Sequence, residues 1–333
     1  MPYSGITFPC PHTPPQPDVW AGFERSPGAS AGQAWQVGRP GGLEVERRLH
    51  KPTVRSPAVD GCPIIWPGDR HRTPGMTFDA PTFQQNSAKL DIGDIDFDAF
   101  KDQPLDAEAL RCLRYMHDVE SHTVCYLRDV LVTRAHRDPD ITAFLTLWNY
   151  EEFWHGDAIG KVLAAHDEEA GATRIAELRQ RLPKGDRWRP VGFQLASALT
   201  PHLTAVQMTW GAVNEWTTQA AYARLAKLAD HPTLSILLKR IMKQEGRHID
   251  FYSTEANGRL TNSRAAQRVT RWALRRFWAP VGSGVIEDQE VDFLRTYLFG
   301  DPDGLVFAER IDRRVDRLPG LHGLHLLAGA VAA

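Results

Sequence analysis

Four stretches of the chain place apolar residues at intervals of three and four, and each apolar stripe is broken near its middle by a charged residue. Over residues 141–163 the stripe is Ile141, Phe144, Leu145, Trp148, Ile159, Val162 and Leu163, with Glu152 and His155 on the same face at i and i+3. Over 234–252 it is Leu234, Leu238, Ile241 and Tyr252, broken by Glu245 and His248. A third stripe, Leu113, Met116, Thr123, Leu127 and Leu131, carries Glu120. A fourth, Ala205, Met208, Gly211, Thr218, Tyr222 and Leu225, carries Glu215. No run alternates with a period of two, so the predicted fold class is all-α.

Capping signals set the expected boundaries. Asp106 caps a first long helix that runs to about Ala135. Asp140 caps a second that ends near Ala165. About twenty-five residues then form a crossover insert with a short helix over 172–182, followed by a third helix over 191–229, broken at Pro201. A fourth runs to about Asn257, and a basic helix over 263–278 and helices over 287–298 and 305–318 complete the chain. The organisation read from this is an extension over 1–75, a lead-in over 76–105 with a short helix near 97–101, a bundle over 106–258 and a helical cover over 259–333.

The extension differs in kind: 13 of the 23 prolines lie in it, and it has no sustained periodicity. It is expected to be disordered or to lie outside the native coding sequence, with Met76 opening a stretch of ordinary composition. With 39 basic and 41 acidic residues the chain suggests neither nucleic acid nor an anionic membrane as a partner, and no apolar run has the length of a membrane span. Cys10, Cys62, Cys112 and Cys125 form no C-x-x-C pair and are expected to be reduced thiols. No export signal is visible at the amino terminus, and the expected compartment is the cytoplasm.

The interruptions of the stripes carry the chemistry. A carboxylate aimed into a core is costly unless it is paired, protonated or metal-bound. One Glu-x-x-His proves little, since chance gives about 0.6 occurrences in a chain of this composition. Two inward copies, joined by one inward glutamate from each of two further helices, make the full set of a dinuclear carboxylate site. The candidate metal ligands are therefore Glu120, Glu152, His155, Glu215, Glu245 and His248. Carboxylates and imidazoles without thiolate suit iron or manganese, and four glutamates nearly neutralise two divalent ions. Met208, Phe144, Trp148 and Tyr222 are candidate walls of an apolar channel. Arg174, Arg179, Arg181, Lys184, Arg187 and Arg189 in the crossover, and Arg264, Arg268, Arg271, Arg275 and Arg276 in the helix after the bundle, are candidate docking surfaces for an acidic partner.

The segment EEFWHGDAIGKVL resembles the Glu-Glu-Asn-Arg-His-Gly-Asp-Leu-Leu segment of the soluble acyl-carrier-protein desaturases, and QEGRH resembles their Asp-Glu-Lys-Arg-His. The similarity covers about residues 105–257. It implies a ferritin-like four-helix bundle with a crossover insert, the six ligands above, and two iron ions, with Mn–Fe as the variant. It also implies an acyl carrier protein bearing the substrate, a ferredoxin-type electron donor, a homodimer, and oxygen-dependent insertion of a double bond into the acyl chain. Thr218 matches a threonine on the oxygen-binding side of that site and is the candidate catalytic residue. Gln244 departs from the pattern: the family has an aspartate there, in the hydrogen-bond chain to the metal histidine, which leaves the electron route open. Two other functions share the ligand set: an oxidase or N-oxygenase acting on a small substrate, and a non-enzymatic iron-storing protein.

Overall fold

A computed structural model describes residues 78–332, and the extension over 1–75 lies outside them. In chain order the helices are α1 (Ala80–Asn86), α2 (Ala99–Asp102), α3 (Ala107–Leu131), α4 (Pro139–Ala164), α5 (Ala172–Arg181), α6 (Arg189–Leu199), α7 (Leu203–Ala229), α8 (Pro232–Thr261), α9 (Arg264–Phe277), α10 (Asp288–Phe299), α11 (Pro302–Asp316) and α12 (Leu326–Ala332). Among the described residues there is no strand, only an isolated bridge between Ser283 and Ile286. Among these residues no helix is long and apolar enough to cross a membrane.

The four long helices α3, α4, α7 and α8 pack as two hairpins, α3 on α4 and α7 on α8, with α4 also against α8 and α3 against α7. Their apolar stripes meet in one core, where Leu113, Ile141, Leu145, Ile159, Leu163, Met208, Leu225, Leu234, Leu238 and Ile241 are all fully buried. The α7–α8 crossing is close because of Gly211: a Cβ there would lie 2.4 Å from the Tyr252 ring. Asp230 ends α7 in the left-handed region at φ 42°, a conformation aspartate tolerates, and Pro232 opens α8 where its missing N–H costs nothing.

Several boundaries differ from expectation. The first long helix stops at Leu131, and Thr133 caps a separate 3-10 turn over Arg134–Arg137. Asp138, not Asp140, caps α4: its side chain accepts the Asp140 and Ile141 N–H groups, which Pro139 places in the first turn. The fourth long helix continues to Thr261. Helices α1 and α12 were not expected. The first is set by Asp79, which accepts the Thr82 N–H at 3.0 Å. The second is too short for periodicity to reveal, and Asp312 of α11 caps it by accepting the Leu327 and Ala328 N–H groups at 3.0 and 2.9 Å. The break at Pro201 and the insert helix α5 fall where expected.

Helices α9 to α12 lie over the bundle and are tied to it by polar anchors. Arg224 of α7, 1% exposed, donates to the Leu298 carbonyl at 2.9 Å and to Asp301 at 2.6 Å. Arg111 of α3 forms a two-pronged pair with Glu290 of α10 at 2.8 and 2.9 Å. Cys112 is buried and Cys125 half-buried, and both are free thiols; Cys10 and Cys62 lie outside the described residues.

Candidate metal centre

The four long helices bring all six predicted ligands to one point in the bundle core, each no more than 6% exposed. They fall into two overlapping groups, Glu120, Glu152, His155 and Glu245, and Glu152, Glu215, Glu245 and His248, with the ligand atoms of each group within 4.8 Å of one another. Glu152 and Glu245 belong to both. Their oxygens divide evenly: Glu152 turns Oε2 to His155 Nδ1 at 2.9 Å and Oε1 to His248 Nδ1 at 3.2 Å. Glu245 turns Oε1 to His155 Nδ1 at 3.2 Å and Oε2 to His248 Nδ1 at 3.1 Å. This is how two carboxylates span two cation positions. Glu120 Oε2, 4.0 Å from His155 Nδ1, and Glu215 Oε2, 3.9 Å from His248 Nδ1, stand as the terminal carboxylates of the two groups.

A layer of hydrogen bonds orients these side chains. His155 Nε2 donates to Gln244 Oε1 at 2.8 Å, and Gln244 Nε2 donates in turn to the Ala88 carbonyl at 3.0 Å. His248 Nε2 donates to Glu151 Oε2 at 2.8 Å, while Glu151 Oε1 accepts from Arg247 and from the Ala88 N–H. With Nε2 so engaged, both imidazoles face the centre through Nδ1. Trp148 Nε1 donates to Glu215 Oε1 at 3.0 Å, and the Tyr222 hydroxyl donates to Glu120 Oε1. Sequence reasoning missed Glu151 and the part that Ala88 of the lead-in plays here. The signal available for Glu151 was position alone, since it precedes Glu152 as Gln244 precedes Glu245.

The electrostatics of the centre are those of a cluster that lacks its counter-charge. Burial, followed by the charge of Glu152, pushes Glu120 well above the usual carboxylate range. Burial and Glu245 do the same to Glu215. Burial opposes the imidazolium of His155, but its bonds and attraction to Glu152 and Glu245 prevail and raise it to about 10; His248 is raised in the same way. Against burial, the two imidazoles lower Glu152 and Glu245. Raised carboxyls and imidazoles offset buried negative charge that divalent cations would otherwise offset, and Glu245 Oε1, fully buried, has only the His155 Nδ1 that Glu152 Oε2 already holds at 2.9 Å. Oxygen and imidazole donors in this number fit two hard or borderline divalent ions.

An apolar pocket with a cavity volume of about 50 Å³ reaches the centre on the Glu120 side. Glu120 and Tyr222, bonded to each other, line it together with Thr217 and Thr218. Met116, Val119, Leu294 and Phe299, with Val281 of the loop after α9 and Leu327 of α12, form its walls. The cover is therefore part of the pocket. Of the four expected channel residues only Tyr222 lines it: Met208 is fully buried core, Phe144 stacks on Phe251 with centroids 3.6 Å apart, and Trp148 is occupied with Glu215. Thr218 faces the pocket and makes no side-chain hydrogen bond among the described residues, whereas its neighbour Thr217 bonds back to the Val213 carbonyl at 2.8 Å.

The neighbours of Glu120 that could have taken its place do not reach the centre. Asp118 holds Arg174 at 2.7 and 2.6 Å, and His122 is buried with neither ring nitrogen bonded, its pKa lowered to about 4 chiefly by that burial. The crossover cluster is partly consumed within the fold, since Arg189 also pairs with Asp129 and Asp186. In the α9 cluster Arg271 donates to the His322 carbonyl at 2.7 Å, whereas Arg264, Arg268, Arg275 and Arg276 are exposed, and the helix contains no acidic residue. No family model, curated protein or solved structure matches the chain.

Proposed function

We propose that the chain is an oxygen-dependent di-iron oxidoreductase of the ferritin-like class, acting on a long apolar chain as the acyl-carrier-protein desaturases do. The observation that carries this reading is the division of Glu152 and Glu245 between two ligand groups, beside an apolar pocket lined in part by a third ligand, Glu120. The pocket favours an organic substrate over the traffic of hydrated ions that iron storage needs.

The overall reaction removes two hydrogens from adjacent methylenes, with dioxygen as the acceptor. Two further electrons come from a ferredoxin-type donor and two protons from solvent, and two waters leave. A pair of ferrous ions held by Glu120, Glu152, His155, Glu215, Glu245 and His248 supplies the activation of dioxygen, which no side chain can. The chain's own residues do the rest. The pocket walls exclude water and hold methylenes beside Glu120. Tyr222 donates its hydroxyl to Glu120 Oε1, and Thr218, with no bond back into its helix, offers a hydroxyl to the pocket.

A carrier protein is acidic, and the basic outer face of α9 suits it best because that helix leads directly into Pro280 and Val281 at the pocket. The homodimer belongs to the same proposal. The test is anaerobic loading with ferrous iron, then oxygen and a reduced ferredoxin, with and without acyl carrier proteins, followed by product analysis. An unsaturated acyl chain supports the reading. Oxygen consumed with only amine or aromatic products would move it to an N-oxygenase or other oxidase, and many irons accumulated per chain would move it to storage.

A further inference from the structure

The centre has an approximate twofold arrangement that two substitutions break on the same side. In each Glu-x-x-His helix the residue before the shared glutamate reaches across to the histidine of the other helix, at 2.8 Å in both cases. For His248 that residue is Glu151, a carboxylate; for His155 it is Gln244, an amide. A carboxylate draws on the imidazole N–H more strongly and makes the opposite nitrogen the better donor to a metal. His155 is the weaker donor of the two.

The terminal carboxylates differ in the same sense. Glu215 Oε1 accepts from the indole of Trp148 at 3.0 Å, while Glu120 Oε1 accepts from the more acidic phenol of Tyr222. Each donor occupies one oxygen, so Glu120 and Glu215 each have Oε2 left for a metal. The group of Glu120 and His155 therefore offers four donor atoms, two of them weakened. The pocket is also one-sided. Glu120, Thr218 and Tyr222 line the pocket, whereas Glu215 is outside its lining and packs against Trp148, whose ring lies 5.8 and 6.1 Å from those of Tyr126 and Tyr252.

We propose that Tyr222 and Gln244 are positioning residues that make the Glu120–His155 metal position the electron-poor, coordinatively open half of the centre, where a small exogenous ligand binds from the pocket. The proposal rests on the di-iron reading above, and goes beyond it in assigning different tasks to the two halves. The Glu215–His248 half, with the stronger imidazole and outside the pocket lining, is the electron-richer half.

The test is Mössbauer spectroscopy of the full chain loaded anaerobically with ⁵⁷Fe(II), before and after nitric oxide. The wild type is expected to show two ferrous doublets of equal area, one of which is lost on adding the first equivalent of nitric oxide. Gln244→Glu puts a carboxylate on both histidines, and Tyr222→Phe releases Glu120 Oε1. Each is expected to retain two irons per chain and to draw the doublets together. One unresolved doublet in the wild type, loss of both doublets in parallel as nitric oxide is added, or spectra unchanged in both variants would overturn the inference while leaving the di-iron reading in place. Fewer than two irons per chain in the wild type would overturn both.

Discussion

Glu151 Oε2 sits 2.8 Å from His248 Nε2, and its other oxygen takes the guanidinium of Arg247. The carboxylate is fully buried and touches no candidate metal position, so its role is to fix which nitrogen of His248 faces the centre. Replacing Glu151 with alanine should lower metal affinity about 10- to 100-fold while leaving the six ligands intact. Competition with a chromophoric chelator measures this directly, and an unchanged affinity would reduce Glu151 to a partner of Arg247.

Protons and metal compete for the same groups, which fixes the sign of a pH effect. In the metal-free protein His155 is raised from 6.5 to about 10. A pKa raised on folding contributes stability that is fully present below the unfolded value and is lost as pH climbs through the folded one. For His155 that window runs from about 6.5 to about 10, and the raised Glu120 and Glu215 act in the same direction from their unfolded values upward. The lowered Glu152 and Glu245 contribute in the opposite sense, and only in acid. The Tm of the metal-free protein should therefore fall between pH 6.5 and 9.5, whereas that of the metal-loaded protein should vary much less. Parallel Tm curves with and without metal would argue against metal replacing these protons.

Gly211 lets α7, which carries Glu215, pack closely on Tyr252 of α8, the helix that carries Glu245 and His248. Gly211→Ala would set a methyl 2.4 Å from the Tyr252 ring and should cost about 1–3 kcal/mol by overpacking. Chemical denaturation of the metal-free chain reads this without interference from ligand loss, and a neutral or stabilising substitution would contradict the close packing.

Thr218 faces the pocket beside Glu120 and Tyr222. Thr218→Val keeps the shape and removes the hydroxyl, so both irons should remain while oxygen uptake yields peroxide or water instead of product. Product formed per oxygen consumed is the quantity to follow. A ratio equal to the wild type would assign Thr218 to packing alone.

How much of this was legible in the chain depends on the range of each signal. Ligands such as Glu152 and His155 were readable because helical period and spacing place them on a buried face whatever they meet there. The caps at Asp106 and the break at Pro201 were readable for the same local reason. The hydrogen-bond layer was readable only in part: the resemblance put Gln244 in a chain to a metal histidine, but Glu151 was missed, because it meets His248 across 97 positions, as Gln244 meets His155 across 89, and no local pattern encodes which helix faces which. The pocket failed for a related reason. Met208, Phe144 and Trp148 share the stripe of a channel wall, but the cavity is made by what the cover leaves unfilled, and that follows from the docking of Arg224 and Arg111. Helix α12 is held by Asp312, fifteen residues before its first bonded amide, and has no periodicity of its own length to show.

The central claim is that one centre takes two metals through two shared glutamates. Iron bound per chain, measured after anaerobic loading and removal of loose metal, in the wild type and in Glu152→Ala and His248→Ala, tests it most directly. The account predicts two irons in the wild type and loss of the dinuclear pair in both variants, with unchanged helical circular dichroism because the apolar stripes remain. Two tightly bound irons in both variants would contradict it.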